Sequence, residues 1–395
     1  MRHVAALGVT QILGYGAIFY SFPIFVPHVA AEFGVSQTWL YAVFSTGLLL
    51  GGGVASLAGS MLDRFGAAQV MAMGSFLTAM LFAGLGLAPN VLVYGALVIV
   101  LQAFSFLVLY DAAFAALAAG VPQGTRRAIT RLTLIAGFAS TLFWPLTAFL
   151  IDLLGWRGTC VVFALLHLVI ALPLHRWLAR LVRQGAAAAG TALRGRPAPD
   201  WPVLGGRDAR RAFWALGAGF ALIAIVIAAF GVHLVPVLLA QGLDERAYLV
   251  GMVMGPAQVL VRVIDATLWQ QYHPLSVALI SVVALMLAIV ALAVAEGSVV
   301  LALAFAILFG AGQGLTSIVR GAVPLALFGA EGIGRRLGHL AALRNVSAAA
   351  APFAFALGAE KLGLAQTLGV TFVLALGGLL LLFWLRHLVQ RACGR

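Results

Sequence analysis

Apolar residues run along this chain in stretches of about twenty or more, each long enough to carry a helix through the hydrocarbon core of a bilayer. Short polar interruptions separate them. Twelve such stretches are predicted, at roughly 4–28, 38–61, 68–88, 92–119, 127–152, 157–175, 212–237, 247–269, 275–295, 298–327, 336–359 and 366–386, and we number them helices 1 to 12. The interruptions carry turn chemistry: Glu32-Phe33-Gly34, Asp63-Arg64-Phe65-Gly66, Ala88-Pro89-Asn90 and Gly155-Trp156-Arg157. A cleaved signal peptide is the competing reading of the first stretch. Its apolar run continues to about Val29 with no small-residue cleavage site before a polar domain, so it reads as a spanning helix. One interruption is longer and rich in Arg, Gly, Ala and Pro, including Gly195-Arg196-Pro197-Ala198-Pro199. The pattern therefore predicts an all-α membrane protein with an N-terminal six-helix half (1–176), a basic linker (177–211) and a C-terminal six-helix half (212–395).

Composition strengthens this reading. The 395 residues are 63% hydrophobic and 9% charged, against about 25% charged in a soluble domain. Lipid is the solvent that so much apolar surface requires. A net charge of +12 would suggest nucleic acid in a soluble protein. Here the arginines gather at helix ends and in the linker, which is a sign of orientation in a membrane and gives no nucleic-acid partner. Arg176, Arg180, Arg183, Arg194, Arg196, Arg207, Arg210 and Arg211 flank or fill the linker, and Arg64, Arg126, Arg127, Arg335 and Arg336 lie on the same side. The other side holds Arg157, Arg246 and Lys361, with Glu32, Asp244, Glu245, Glu296 and Glu360. Both termini and the linker are expected in the cytoplasm, with the chain in a bacterial inner membrane. Cys160 and Cys393 then fall on opposite sides and no disulfide joins them. No metal-ligand spacing of Cys or His occurs, so no metal or cofactor is expected. Glycine is abundant, with 45 residues. Gly47 with Gly51, and Gly251 with Gly255, have the small-xxx-small spacing that lets helices approach closely in lipid.

The two halves echo one another. Arg126-Arg127 and Arg335-Arg336 open helices 5 and 11 at a spacing of 209 residues, and Pro27 and Pro236 stand at the same spacing, as do Asp111 and Arg320. Repeated halves are a mark of secondary transporters, with the substrate site near the midplane between them.

The loop after helix 2 reads Gly59-Ser60-Met61-Leu62-Asp63-Arg64-Phe65-Gly66. This resembles the loop motif of the major facilitator superfamily, with Ala67 and Ala68 where that motif usually continues with basic residues. The resemblance implies the major facilitator fold, alternating access, and a gating and packing role for Asp63 and Arg64. A finer likeness lies in Arg126-Arg127-Ala128, Ala136-Gly137, Pro145-Leu146 and Gly155-Trp156-Arg157, which look like the monocarboxylate porter and oxalate–formate exchanger branch. Gln258-x-x-x-Arg262 falls where that branch carries its substrate arginine. Arg344 on helix 11 is placed as the counterpart of the second cation of its exchangers. Gln258 stands where animal monocarboxylate carriers often have an acid, and helix 1 lacks their acidic-Gly-Gly pattern and lysine.

An ionisable group inside a spanning helix costs roughly 2.5–3.5 kcal/mol on insertion scales, so it usually faces a cavity or a partner. Asp111, Arg131, Arg262, Asp265, Arg320, His339 and Arg344 are such groups. Arg131 and His339 lie in the first turns of their helices and are expected to snorkel. Arg262 and Arg344 fall at one depth, about 6 Å cytoplasmic of the helix centre at 1.5 Å per residue, and together could clamp an anion through paired guanidinium donors. Alternatively, Asp265 neutralises Arg262 from one turn away. Asp111 and Arg320 lie roughly 9–10 Å cytoplasmic of their helix centres. The resemblance puts helices 1, 4, 7 and 10 along the cavity, so this pair could form an inner gate or couple protons, or each could simply face water. Gln11, Tyr15, Tyr20 and Gln102 are the polar and aromatic candidates for the cavity wall on helices 1 and 4, with packing as the alternative.

The leading expectation is a secondary transporter, monomeric, for a small organic anion such as a carboxylate, proton-coupled or working by exchange. An exporter of drugs or metabolites is the alternative within the same fold. A membrane-embedded enzyme or receptor is the alternative of another class. It lacks support, since the chain has no Ser/His/Asp constellation, no His-rich metal set and no room for a soluble catalytic domain.

Overall fold

The computed structural model describes residues 2–121, 124–190, 203–243 and 246–392. Arg194, Arg196 and the Pro197–Pro199 stretch of the expected linker, Asp244, Glu245 and Cys393 lie outside them. Eleven stretches are long and apolar enough to cross a membrane. Ten correspond to one expected helix each: helix 1 (Arg2–Phe33), helix 2 (Gln37–Phe65), helix 3 (Ala67–Gly86), helix 4 (Val91–Gly120), helix 7 (Gly206–Ala240), helix 8 (Arg246–Thr267), helix 9 (Pro274–Ala293), helix 10 (Val299–Phe328), helix 11 (Ile333–Lys361) and helix 12 (Leu364–Ala392). The eleventh, Thr125–Gln184, has 60 residues. At 1.5 Å per residue that is about 90 Å, three times the hydrocarbon thickness. Gly155 divides it, with φ 69° and ψ 170° in mid-run, into helix 5 (125–154) and helix 6 (156–190). Twelve helices result. Helix 6 continues to Gly190, and helix 7 already begins at Gly206, so both enter the stretch expected as linker. The run Ala186–Ala189 explains the first extension, because alanine has the highest helix propensity although it is not hydrophobic enough to read as a span.

The repeat is visible in the backbone. Gly34, Gly124 and Gly155 have φ of 64°, 75° and 69°, and 208 residues later Gly242, Gly332 and Gly363 have φ of 83°, 62° and 88°. A left-handed conformation costs an L-residue roughly 1–2 kcal/mol, so glycine ends the helices at equivalent places. Helix 4 is capped by Asn90, whose side chain accepts from Val93 N at 3.0 Å, and helix 10 by Ser298, which accepts from Leu301 N at 3.4 Å.

Two compact units are present. The first comprises Met1–Ala198 with Ala330–Ala342, and the second Pro199–Gly329 with Leu343–Arg395. The boundary thus falls inside helix 11. Aromatic rings centre each core. In the first unit Phe163 of helix 6 meets Phe25, Phe82 and Phe143 of helices 1, 3 and 5 at 5.9, 5.6 and 5.6 Å between centroids. In the second, Phe230 of helix 7 meets Phe305, Phe309 and Phe355 at 5.6, 5.2 and 5.5 Å.

The end of the first unit where helices 1, 3 and 6 meet is clamped by Arg157. Its Nε and Nη2 donate to Glu32 Oε1 at 2.9 and 2.7 Å, and its Nη1 donates to the carbonyls of Gly86 and Ala88 at 3.1 and 2.8 Å. Trp156 Nε1 donates to Glu32 Oε2 at 2.5 Å. One guanidinium therefore closes the last carbonyls of helix 3 and the end of helix 1.

Helices 1 and 4 are irregular. Helix 1 is α-helical over Arg2–Tyr15, π-helical over Gly16–Tyr20 and α-helical again over Phe22–Phe33. Helix 4 stops at Phe104, makes a 3-10 turn over Ser105–Leu107, extends at Leu109 and restarts over Tyr110–Gly120. Their repeat partners, helices 7 and 10, run unbroken for 35 and 30 residues.

Candidate functional site

Helices 8, 10 and 11 carry the polar chemistry of the second unit. Arg262 is 6% exposed, and its Nε lies 3.5 Å from the Gly314 carbonyl of helix 10. Asp265, one turn on, is fully buried and accepts from Gln270 Nε2 at 3.3 Å. Gln258, one turn before Arg262, donates from Nε2 to Gln313 Oε1 at 2.9 Å. On helix 10, Gln313, Thr316, Ser317 and Arg320 follow the i, i+3, i+4, i+7 spacing of one helical face, and all four are half-buried. The Thr316 and Ser317 hydroxyls donate back to the Gly312 and Gly314 carbonyls at 2.8 and 2.6 Å. Their oxygens keep lone pairs for another donor. Arg344 on helix 11 is half-buried.

Glycines set the approach of helix 10 to helix 8. A Cβ on Gly310 would stand 2.6 Å from the Met254 carbonyl oxygen, and one on Gly314 would stand 2.9 Å from that of Gln258. The close packing expected of Gly255 is not made by that residue. No described atom lies within 4 Å of where its Cβ would be.

In the first unit, helices 1 and 4 hold each other at their irregularities. Gln11 is fully buried and donates to the Val108 carbonyl, in the break of helix 4, at 2.7 Å. Gln102 is buried and donates to the Ile18 carbonyl, in the π-turn of helix 1, at 3.1 Å. The π-register donor for Ile18 would be residue 23, which is a proline and has no N–H. Each amide thus supplies a donor to a carbonyl at the partner helix's irregularity. Just below, Tyr15 packs on Tyr110 at 4.6 Å between centroids, and Tyr110 stacks on Phe114. Tyr20 is half-buried. Asp111 is 6% exposed, in the first turn of the second piece of helix 4, where the helix dipole favours a carboxylate.

At the other end of helix 2, Asp63 caps helix 11. Its two carboxylate oxygens accept from the backbone N–H groups of Gly334 and Arg335 at 2.8 and 2.7 Å. A Cβ on Gly59 would strike the Gly334 carbonyl, and one on Gly338 would strike the Ala55 carbonyl. Two backbones in contact and a charge on a helix N-terminus make a specific joint. Arg64 lies over the Phe65 ring at 5.2 Å and is exposed.

A profile of the Major Facilitator Superfamily matches residues 7–352. The chain belongs to the major facilitator superfamily. It is therefore a multi-pass membrane protein and a secondary transporter. Among solved structures, the human organic anion transporter MFSD10 (TETRAN) is similar, with a TM-score of 0.74 at 16% identity over 96% of this chain and 99% of that one. The proton:xylose symporter XylE, bound to 6-bromo-6-deoxy-D-glucose, is similar with a TM-score of 0.71 at 13% identity over 98% and 96%. No curated protein sequence matches this chain significantly.

Within this major facilitator the expected site residues separate into three groups. Arg262, Asp265, Arg320 and Arg344 belong to the second unit, and Gln11, Tyr15, Tyr20, Gln102 and Asp111 belong to the first. Asp63 and Arg64 lie at the end of helix 2, in the loop motif that leads to helix 3. Gln313, Thr316 and Ser317 escaped the sequence reading. Their signal was present, as a polar face leading to Arg320 along an otherwise apolar helix. His233 of helix 7 stacks on Phe355 at 5.2 Å and brings Nε2 within 2.8 Å of the Pro352 carbonyl.

Proposed function

We propose that this major facilitator moves a small organic anion, a carboxylate, across a bacterial inner membrane by alternating access, coupled to protons or working by exchange. One observation carries the reading. Helices 8, 10 and 11 carry Arg262, Arg320 and Arg344 of the second unit, with Asp265 one turn from Arg262. Charges at such depth are costly and usually functional, and guanidinium offers paired donors that suit a carboxylate, so this set favours an anionic cargo. The likeness to an organic anion transporter agrees with this, and the likeness to a proton symporter agrees with proton coupling. The motifs of helices 5 and 8 favour the monocarboxylate porter and oxalate–formate exchanger branch. The arginine bias favours cytoplasmic termini and linker, and the transporter works as a monomer.

The test is uptake of radiolabelled mono- and dicarboxylates into proteoliposomes. Arg262→Ala should abolish uptake while the protein still inserts. Arg262→Lys should impair it strongly, because an ammonium lacks the forked donors of guanidinium. Undiminished carboxylate uptake by folded Arg262→Ala would sink the reading. Asp63 and Arg64 in this proposal serve a cytoplasmic gate. Asp111 and Arg320 stand at equivalent repeat positions with opposite charges, and the double swap Asp111→Arg with Arg320→Asp should recover part of the transport that each single change removes.

A further inference from the structure

We infer that Gln258 and Gln313 form a recognition element for a hydroxyl group on the transported anion, so that the preferred cargo is a hydroxycarboxylate. The inference rests on the anion reading above and names the class of anion.

The two side chains face each other from helices 8 and 10, with Gln258 Nε2 donating to Gln313 Oε1 at 2.9 Å. That bond uses one N–H and one carbonyl. It leaves the Gln258 carbonyl and the Gln313 amino group, and neither makes a further hydrogen bond among the described residues. Both residues are half-buried, so these groups are not sealed in the core. Exchanging nitrogen and oxygen in both amides would leave the same outward complement, one carbonyl and one amino group, with the residues reversed. The pair therefore offers a donor and an acceptor side by side whichever way the amides lie.

Its position ties it to Arg262. Gln258 and Arg262 are one turn apart on one face of helix 8. Gln313 immediately precedes Gly314, whose carbonyl is 3.5 Å from Arg262 Nε. Gln258 and Arg262 thus meet adjacent residues of helix 10, Gln313 and Gly314, where Gly310 and Gly314 bring that helix close to helix 8. Past them, the Thr316 and Ser317 oxygens add only acceptors, since both hydroxyl protons are used within the helix. A carboxylate on Arg262 would leave its substituent chain near the amides. A hydroxyl there can donate to the carbonyl and accept from the amino group at once. A methylene in its place would cover both without pairing either, which is the arrangement by which polar sites reject analogues that lack a hydroxyl.

Matched pairs of anions test this on the full-length protein in detergent. Binding of L-lactate against propionate, and of L-malate against succinate, is measured by ligand-induced thermal stabilisation. The wild type should bind the hydroxylated member of at least one pair about tenfold tighter or more, the low end of what an unpaired polar partner costs. Gln313→Met and Gln258→Met keep side-chain length and remove the amide. Each should collapse that preference, weakening lactate and malate relative to propionate and succinate, and Arg262→Ala should lose both members of a pair. A residue that only braced the two helices would weaken both members equally. Melting without ligand reports folding, and either variant alone suffices if the other fails to fold. Equal affinity for both members in the wild type, or a preference that survives in the folded variants, overturns the amide inference while the anion reading stands. Failure of all four anions to bind overturns both.

Discussion

The two halves share a chain path but distribute their polar residues differently. In the first half, the helices equivalent to 7 and 10 are broken, and buried glutamines sit at the breaks. Gln11 and Gln102 donate across to carbonyls at those irregularities. At the repeat positions of the second half stand Phe220 and Ala311, on helices that run unbroken. The second half instead carries Arg262, Gln313 and Arg344, and the residues 209 positions earlier, the spacing of the Arg-Arg and Pro pairs, are Gly53, Phe104 and Ile135. Polar residues in the first half thus serve its own irregular backbone. Those of the second are held on regular helices, where a side chain's direction is fixed most firmly.

The same exchange appears in packing. Helices 2 and 4 touch through glycines on helix 2, since a Cβ on Gly47 would lie 2.7 Å from Gln102 Cβ. Helices 8 and 10, the equivalent pair, touch through glycines on helix 10. An interface needs small residues on one side only, so the halves could diverge while keeping the contact.

This contrast can be broken by substitution. Gly310→Leu gives the second half the residue its counterpart Leu101 supplies in the first. Because a Cβ at 310 already meets the Met254 backbone, the change should cost about 3 kcal/mol, the upper part of the range for overpacking, and lower the melting temperature in detergent sharply. Gln11→Leu and Gln102→Leu should each cost about 1–3 kcal/mol by leaving a buried carbonyl without its donor. Loss in the double variant should fall short of the sum if the two bonds hold one joint. Additive losses would show two independent ties. Glu32→Ala should cost about 1 kcal/mol or less, because the pair with Arg157 is partly exposed. Smallest of all, Gly255→Ala should leave melting unchanged or raise it slightly, since nothing crowds that position.

Much of the architecture was legible because a bilayer enforces long apolar runs, and glycine marks their ends. The arginines stood out for the same reason. The π-turn of helix 1 left a trace in Gly16 and Pro23. The break in helix 4 left none, because no glycine or proline occurs between Gly95 and Gly120. Its cause is tertiary. Gly74 of helix 3 leaves space that Leu107 and Val108 occupy, with a Cβ there only 2.8 Å from each side chain, and Gln11 takes the Val108 carbonyl. Gly255 misled for the converse reason. Its spacing from Gly251 suits close packing, but no described atom outside its own helix approaches it, and helix 10 supplies the small residues. The Gln258–Gln313 pair could not be read from spacing, since it joins residues on different helices.

Helix 11 holds a mechanical consequence. Its piece Ile333–Ala349 is one continuous α-helix, yet residues up to Ala342 pack with the first unit and those from Leu343 with the second. Asp63 grips one end of this rod, and Arg344 projects about 15 Å along it, ten residues from Gly334 at 1.5 Å each. An α-helix is stiff along its axis, so the capped N–H groups of Gly334 and Arg335 and the backbone of Arg344 keep a fixed separation and orientation on one rod.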